Sequence, residues 1–352
     1  MNRGKEHLYY QTLDWKTYIK HYFRRNKKRF LEAIRQDMGI NDVFLTGSGR
    51  AGIILSLAAA NIGRHNEVFV PQFMSTCVLA AVYKLGFPSL QFTEKTKAVL
   101  LYHHWGYPQN FPAIRNLLGN RNILIIEDCA HGFWGKSYGI RIGEFGDTAL
   151  FSLPKIFEIT YAGALRVNNK TYLKDIIERL NYKVSLRERW QAIRGEWTYV
   201  TCYTKSTEKR RLLDFQVNLA KWHATLLAYP ACKRIRGRLP RNYEELREVF
   251  SKQNGHFLFL LKNLKSKSFL LDGDSVDEMA PLCYPFLCED DVVLKSVDNW
   301  LKQAGIYTGI YHFDINRNMF NPVFKKCVPI PIYDSIDRSL LESFVREFKE
   351  IS

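Results

Sequence analysis

Short runs of strand-forming residues alternate with helical segments through the first half of this chain, and this alternation limits the fold more than any other feature. Apolar, mostly β-branched or aromatic runs lie at 43–45, 67–71, 90–92, 98–102 and 123–126. The segments 53–61 and 77–85, rich in Leu, Ala and Val, predict helices between them. Strands that alternate with helices at such short spacing are typical of a mainly parallel sheet with helices on both faces. We therefore expect an α/β protein.

A carboxylate and a lysine follow two predicted strands. Asp128 comes just after the run 123–126, and Lys155 ends a second short apolar segment that begins at Phe151. In an open α/β sheet, ligands bind at the carboxyl ends of the strands. Pyridoxal phosphate (PLP) needs both groups, because a lysine amine forms a Schiff base with its aldehyde and a carboxylate keeps its ring nitrogen protonated. A capping or turn aspartate and a solvated lysine are the ordinary alternatives.

Two segments resemble the signatures of the DegT–StrS family of sugar aminotransferases. IEDCAHGFWG (126–135) resembles the family's ED-A-(Q/H)-x-x-G, and FSLPKIFEITYAGAL (151–165) resembles its S-L-x-K…G-G-A-L, with a short spacing from serine to lysine. The likeness extends from about Asp42 to the C-terminus. It implies a PLP-dependent aminotransferase in which Lys155 carries the cofactor and Asp128 pairs with the pyridine nitrogen. It also places His131 near the phenolic oxygen and Ser152 among the cofactor contacts.

The turn Thr46–Gly52 is a further candidate contact. A turn rich in Gly and Ser that opens a helix presents backbone N–H groups and the positive end of the helix dipole to an anion. A plain N-cap turn is the alternative. The turn resembles the family's (T)-G-S-G-(R/T) segment, and this likeness assigns Ser48, Gly49 and Arg50 to the phosphate of PLP.

The resemblance also implies the domain organisation. The family has the aspartate-aminotransferase fold, fold type I of PLP enzymes, with a mainly parallel large domain and a small α+β C-terminal domain. Because Arg238–Tyr243 resembles the family's connection into the small domain, we expect a large PLP-binding domain over 1–237 and a small domain over 238–352. An N-terminal helix is predicted near 15–38. The small domain should contain a strand near 279–286, a helix over 290–304 and a last helix over 339–349.

Three positions depart from the family's pattern. The family usually has an aromatic residue four positions after the proline at 71, where it lies over the cofactor ring, but this chain has Ser75. Phe73 and Trp105 are the candidates to stack there instead. Where relatives use an Asn to reach the neighbouring subunit's PLP phosphate, this chain has Lys209, which is assigned the same electrostatic role. The likeness therefore implies a homodimer with shared active sites. Ala162 replaces the first glycine of the usual Gly-Gly.

The formal net charge of +16 is the unusual feature of the composition. Solvated basic faces are the simple explanation, and an anionic substrate is the functional one. No helix-turn-helix, zinc-finger or RNA-binding signature accompanies the charge, so we expect no nucleic-acid partner. The basic run at 24–29 lies on the predicted N-terminal helix. Its charges form the solvent-exposed face of that helix or, alternatively, contact an anionic membrane surface.

The remaining features indicate a reduced, cytoplasmic protein. No apolar run approaches the about 18 residues of a membrane span, and no secretory signal is expected at the N-terminus. The chain has seven cysteines and no CxxC pair, which indicates free thiols. The pair His103-His104 has no carboxylate or cysteine at ligand spacing, so we expect no metal site.

The expected reaction is transfer of an amino group, from glutamate or another amino acid, to a keto group. In most relatives that keto group belongs to a nucleotide-linked sugar. One alternative is another PLP reaction such as dehydration, against which Lys155 argues, because dehydrating relatives have histidine at that position. A non-catalytic binding or regulatory protein that keeps the fold is the other alternative.

Overall fold

The computed structural model of the chain describes residues 6–7, 27–159, 161–181, 185–187, 190, 194, 235, 237–265 and 267–350. The strands are β1 (Glu6–His7), β2 (Val43–Thr46), β3 (Glu67–Phe69), β4 (Phe87–Ser89), β5 (Thr96–Tyr102), β6 (Leu124–Asp128), β7 (Gly132–Trp134), β8 (Lys136–Ser137), β9 (Ile140–Arg141), β10 (Thr148–Ser152), β11 (Gly163–Val167), β12 (Ala280–Pro281), β13 (Cys283–Leu287), β14 (Ile306–Tyr307), β15 (Tyr311–Asp314) and β16 (Phe324–Pro331). The helices are α1 (Lys27–Met38), α2 (Gly49–Ala59), α3 (Thr76–Val82), α4 (Phe111–Leu118), α5 (Leu173–Leu180), α6 (Tyr243–Asn263), α7 (Asp291–Gln303) and α8 (Arg338–Phe348).

A seven-stranded sheet, in the order β2-β11-β10-β6-β5-β3-β4, forms the centre of the described structure. All its strands run in one direction except β11, which is antiparallel to both neighbours. Most residues of β5, β6 and β10 are apolar and buried, as expected of parallel strands that are covered on both faces. The predicted mainly parallel α/β architecture is confirmed, and the strands next to β6 bring their carboxyl ends to one edge.

The C-terminal part has its own sheet and its own core. Strands β13, β16 and β15 form an antiparallel sheet, against which α6, α7 and α8 pack. Its core is rich in aromatic residues and includes two residues from the loop after β5, Trp105 and Tyr107. This is the α+β arrangement expected for the small domain. The division at residues 237 and 238 stays a prediction.

Two predicted elements differ from the structure in informative ways. The strand expected to begin at Leu90 lies earlier, as β4, and contains Pro88. Proline is tolerated there because β4 is the edge strand and pairs with β3 alone. The single strand predicted near 279–286 is two strands in separate sheets, β12 and β13. The helix predicted near 15–38 is described only from Lys27 onward, and none of the described helices is long and apolar enough to cross a membrane.

Candidate active site

Asp128 ends β6 at the carboxyl edge of the central sheet. Its side chain is buried, and its Oδ1 accepts a hydrogen bond from the backbone N–H of Ala130 at 3.0 Å. Burial raises the pKa of Asp128, while the bond from Ala130 and the charges of Lys155 and His103 oppose that rise. The structure therefore holds a carboxylate in an apolar strand end and supports its ionised form with one N–H donor and the positive charge of Lys155.

Lys155 lies on the neighbouring strand end. Strand β10 pairs in parallel with β6, with Leu150 opposite Asp128, and continues through Ser152 into a tight turn, Leu153–Lys155. The side chain of Lys155 is half-buried, and desolvation lowers its pKa from 10.5 to about 8. The charges of Asp128 and Cys77 raise that pKa, and the charge of Arg50 lowers it. The two residues predicted to be catalytic thus act on each other electrostatically.

The Ser48–Arg50 turn caps α2. Ser48 is the N-cap residue, and its Oγ accepts a hydrogen bond from the N–H of Ala51 at 3.2 Å. Gly163 on β11 packs directly against the turn: a Cβ there would lie 2.5 Å from the Ser48 carbonyl carbon and 2.7 Å from the Gly49 nitrogen. The close approach of the turn therefore requires glycine at position 163, the second glycine of the family's usual pair. Ala162 replaces only the first glycine of that pair, so this close contact is kept.

His131 follows Asp128 in the turn after β6 and is buried. Its Nδ1 lies 2.6 Å from the hydroxyl of Tyr102, the last residue of β5. Burial, followed by the charges of Lys155 and His104, holds the pKa of His131 well below its usual range. The ring is therefore neutral at neutral pH. Sequence reasoning did not identify Tyr102, which lacks a distinguishing motif.

Glu127 is a second residue whose role the sequence did not reveal. Its carboxylate, fully buried, accepts hydrogen bonds from the N–H groups of Gly143, Phe145 and Gly146 at 2.7–2.9 Å, and its Oε2 lies 2.8 Å from His103 Nε2. The other ring nitrogen of His103 accepts from the N–H of Gln109. An acid inside an apolar strand must find such partners, which is the signal that could have identified it.

Among the described residues, His103, Glu127 and Cys129 lie close enough together to suggest a metal site. The hydrogen bonds above already engage both oxygens of Glu127 and both ring nitrogens of His103. Burial also raises the pKa of the Cys129 thiol well above its usual range, which disfavours the thiolate that binds metals. The cluster is therefore a structural network beneath the strand ends.

The candidates for stacking on a cofactor ring lie in different surroundings. Ser75 is exposed, and its Oγ contacts Cys77 Sγ at 3.0 Å. Trp105 is fully buried in the C-terminal core, with its ring stacked on that of Phe313 at 5.5 Å, so a ligand cannot reach it without rearrangement. Phe73 is 70% exposed and remains available. Lys209 and Arg211 lie outside the described residues.

An open depression of about 420 Å³ adjoins the site, part of it open to solvent. The loop after β3, the end of β5 and the C-terminal loop 314–324 form its walls, and the lining side chains are Pro71, Gln72, Phe73, Tyr102, His104, Gln109, Asp314, Met319, Pro322 and Phe324. Burial lowers the pKa of His104 to about 3, so this histidine is neutral. Tyr102 connects the depression to the site, because it also contacts His131.

Comparison with known proteins agrees with this geometry. Residues 89–326 match the DegT/DnrJ/EryC1/StrS aminotransferase family. The chain is 29% identical to the GDP-perosamine synthase of Escherichia coli O157:H7 over 144 residues, which are 35% of this chain and 40% of that protein. It is 30% identical to the UDP-N-acetyl-3-dehydro-alpha-D-glucosamine 3-aminotransferase of Acidithiobacillus ferrooxidans over 146 residues, 36% and 40% of the two. The matches span about half the length of such curated relatives or less.

Solved structures show the fold. The aminotransferase TlmJ of Streptoalloteichus hindustanus superposes with a TM-score of 0.60 at 15% identity and covers 99% of this chain and 98% of its own. The sugar aminotransferase CalS13 of Micromonospora echinospora does so with a TM-score of 0.60 at 16% identity and covers all of both chains. Since the family match extends over more than half of the sequence, this chain belongs to the DegT/DnrJ/EryC1/StrS aminotransferase family.

Proposed function

We propose that this protein is a PLP-dependent aminotransferase that moves an amino group from an amino acid, such as glutamate, to the keto group of a nucleotide-linked sugar or a related anionic substrate. The observation that carries the proposal is the position of Lys155 and Asp128 on adjacent parallel strand ends, where each acts on the pKa of the other. Family membership favours this function over a different PLP reaction or a non-catalytic role.

The residues present fit PLP as a chemical group. The N-terminus of α2 offers backbone N–H donors and a helix dipole for a phosphate, with Gly163 packed closely behind the turn and Arg50 nearby as a cation. Asp128 is a buried carboxylate for a protonated ring nitrogen. Lys155 supplies an amine whose pKa of about 8 leaves a useful neutral fraction near neutral pH.

When bound, PLP supplies an electron sink for carbanion chemistry at the substrate. In our proposal Lys155 would hold the cofactor through its amine, and the same amine, when free, would take and return the proton at the substrate carbon. Asp128 keeps the ring nitrogen protonated, because a carboxylate beside it favours the charged form. Ser48, Gly49 and Arg50 hold the phosphate, and the neutral His131 hydrogen-bonds the phenolic oxygen. Ser152, half-buried at the end of β10, and Ser75 are proposed further contacts.

The cofactor assignment is tested by reducing purified protein with borohydride and locating the modified peptide. Wild-type protein should absorb visible light and carry the reduced linkage on Lys155. Lys155→Ala should stay folded but lose both the linkage and transamination, whereas Lys97→Ala, at an exposed position, should keep them. Normal transamination by Lys155→Ala would contradict the proposal.

The acceptor class rests on the relatives' names and on charge. Two relatives are named for a GDP-linked and a UDP-linked sugar. A net charge of +16 exceeds what a single cofactor phosphate requires. If basic clusters border the site, the Michaelis constant for the keto substrate should rise steeply with ionic strength while the turnover number barely moves, because salt screens charges beyond about 8 Å. A flat Michaelis constant would remove charge as support for an anionic acceptor.

We also propose a cytoplasmic homodimer in which Lys209 and Arg211 complete the neighbouring active site. The five cysteines that the structure describes are free thiols, which suits a reducing compartment. A Lys155→Ala chain mixed with a chain changed at Lys209 and Arg211 should recover activity in heterodimers, since one of their two sites is then intact. Mixed dimers without activity would mean that each site is built from one chain.

A further inference from the structure

Tyr102 lies between the depression and the candidate active site. It ends β5 directly opposite Asp128 in the parallel register of β5 and β6. Its hydroxyl lies 2.6 Å from His131 Nδ1, and the two rings meet edge to face with centroids 5.4 Å apart. Its ring also lines the depression. One side chain therefore both lines the depression and contacts the histidine assigned to the cofactor.

The backbone of Tyr102 is fixed from the other side by Gln109. The side-chain Nε2 of Gln109 donates to the backbone carbonyl of Tyr102 at 2.9 Å, and its side-chain Oε1 accepts from the backbone N–H of Met319 at 3.1 Å. Met319 belongs to the C-terminal loop that forms the opposite wall of the depression. Gln109 thus joins the end of β5 to that loop, and the Tyr102 hydroxyl has a defined position from which to contact His131.

The geometry indicates which atom holds the proton in the Tyr102–His131 pair. A distance of 2.6 Å is shorter than the range of about 2.7–3.2 Å for bonds from an N–H donor to oxygen, but it lies within the range of about 2.5–3.0 Å for bonds from an O–H donor to oxygen. The distance therefore favours the Tyr102 hydroxyl as the donor and His131 Nδ1 as the acceptor. A neutral imidazole carries one proton, so it lies on Nε2, at the opposite side of the ring.

This inference rests on the proposed function. We propose that Tyr102 is a positioning residue that holds His131 in the Nε2–H tautomer, so that His131 presents a hydrogen-bond donor to the phenolic oxygen of PLP. An imidazole with the other tautomer would present a lone pair to that oxygen and repel it. Tyr102 thereby supports the anionic form of the cofactor's phenol without touching it, as an outer hydrogen-bond partner orients a histidine in other sites.

The tautomer can be measured without any cofactor. Protein labelled with ¹⁵N in histidine should show, at neutral pH, the ring-nitrogen shifts of an Nε2–H imidazole for His131, assigned with His131→Gln. Tyr102→Phe should shift these signals toward a mixture of tautomers. The matched control is Tyr107→Phe, which removes another hydroxyl, one that donates to the Cys283 carbonyl at 3.2 Å. An Nδ1–H signal in the wild type, or unchanged shifts in Tyr102→Phe, would overturn the proposal.

Measurements on protein loaded with PLP distinguish a failure of this inference from a failure of the proposed function. Tyr102→Phe should still incorporate PLP through Lys155 but should move the pH midpoint of the cofactor's visible absorbance upward, because the phenolate loses support. Its turnover number should fall by roughly tenfold, with the Michaelis constant for the amino donor little changed. If wild-type protein takes up no PLP, the proposed function fails and the NMR result still decides the tautomer. Unaltered absorbance in Tyr102→Phe would remove the cofactor part of the inference.

Discussion

The amine of Lys155 should titrate near pH 8 in the cofactor-free protein, far below an ordinary lysine. Burial is the main cause, because desolvation penalises the ammonium form, and the charge of Arg50 adds to the effect. At pH 7.5 a pKa of about 8 leaves about one quarter of the amines neutral, whereas a pKa of 10.5 would leave about one in a thousand. The site therefore increases the nucleophilic fraction of this lysine by more than about a hundredfold.

The informative perturbation is Asp128→Asn. The Asp128 charge raises the pKa of Lys155, so its removal should lower that pKa further and increase the neutral fraction above one quarter. The amide keeps the size of the side chain and leaves an oxygen to accept from Ala130. Glu94→Gln is the matched control, because Glu94 is an exposed acid that pairs with Arg121 and does not act on Lys155.

The assay is competitive acetylation of cofactor-free protein between pH 6 and 11, with the peptide that contains Lys155 quantified by mass spectrometry. Exposed lysines in the same sample provide the reference for ordinary reactivity. A midpoint near 10.5 in the wild type would refute the claim that burial tunes this amine. A midpoint that rises in Asp128→Asn would refute the claim that the carboxylate stabilises the ammonium form.

Three further changes test the site through the stability of the cofactor-free protein and, for one of them, also through PLP binding. Folding lowers the pKa of Lys155 from 10.5 to about 8, so between about pH 8 and 10.5 the unfolded chain binds more protons than the folded one. The free energy of unfolding should therefore rise with pH across this range. Urea unfolding of Lys155→Met should not show that rise. Gly163→Ala should destabilise by about 1–3 kcal/mol and weaken PLP binding, whereas Gly255→Ala, with open space around it, should not. Glu127→Gln should lower the unfolding free energy by about 1–3 kcal/mol or more by leaving buried N–H groups unpaired, with the cost read from chemical denaturation.

The fold could be predicted from local patterns, and the Asp128–Lys155 pair from the resemblance of its two segments to the family's signatures. Apolar runs of strand length between helices predict a parallel sheet, and such a sheet brings neighbouring strand ends together whatever the loops do. The partners of Glu127 could not be predicted, although an acid inside an apolar strand indicates that it must have some. In a strand buried on both faces there is no polar and apolar alternation, so the sequence does not say which side an acid takes.

Trp105 illustrates a second limit of the sequence. Its position after β5 made it a candidate for stacking on a cofactor, but the backbone there has a φ of 51° and turns the indole into the C-terminal core. There the indole stacks on Phe313, which is more than 200 residues away in the chain. Long-range packing of this kind decides which aromatic residues line a site, and no local pattern records it.

Phe73 is the exposed aromatic residue at the rim of the depression, and its backbone is strained. Its φ of 58° lies in the left-handed region, which costs a residue with a side chain about 1–2 kcal/mol. The ring, 70% exposed, lies parallel to His312 with centroids 5.6 Å apart and meets Phe324 edge to face at 5.0 Å. These ring contacts are worth about 0.5–1.5 kcal/mol each and offset the strain without burying the ring.

Two variants at Phe73 separate its effect on stability from its effect on binding. Phe73→Ala keeps the strained φ and loses both ring contacts, so it should destabilise by about 1–3 kcal/mol. Phe73→Gly loses the same contacts but relieves about 1–2 kcal/mol of strain against an entropic cost of about 0.5–1 kcal/mol for glycine, so it should be less destabilised than Phe73→Ala. If the exposed face of the ring contacts the acceptor, both variants should raise the Michaelis constant for the keto substrate by a similar factor, roughly fivefold for one aromatic contact worth about 1 kcal/mol. A Michaelis constant that follows stability from one variant to the other would mean that Phe73 only supports the loop, because a direct contact is lost equally in both.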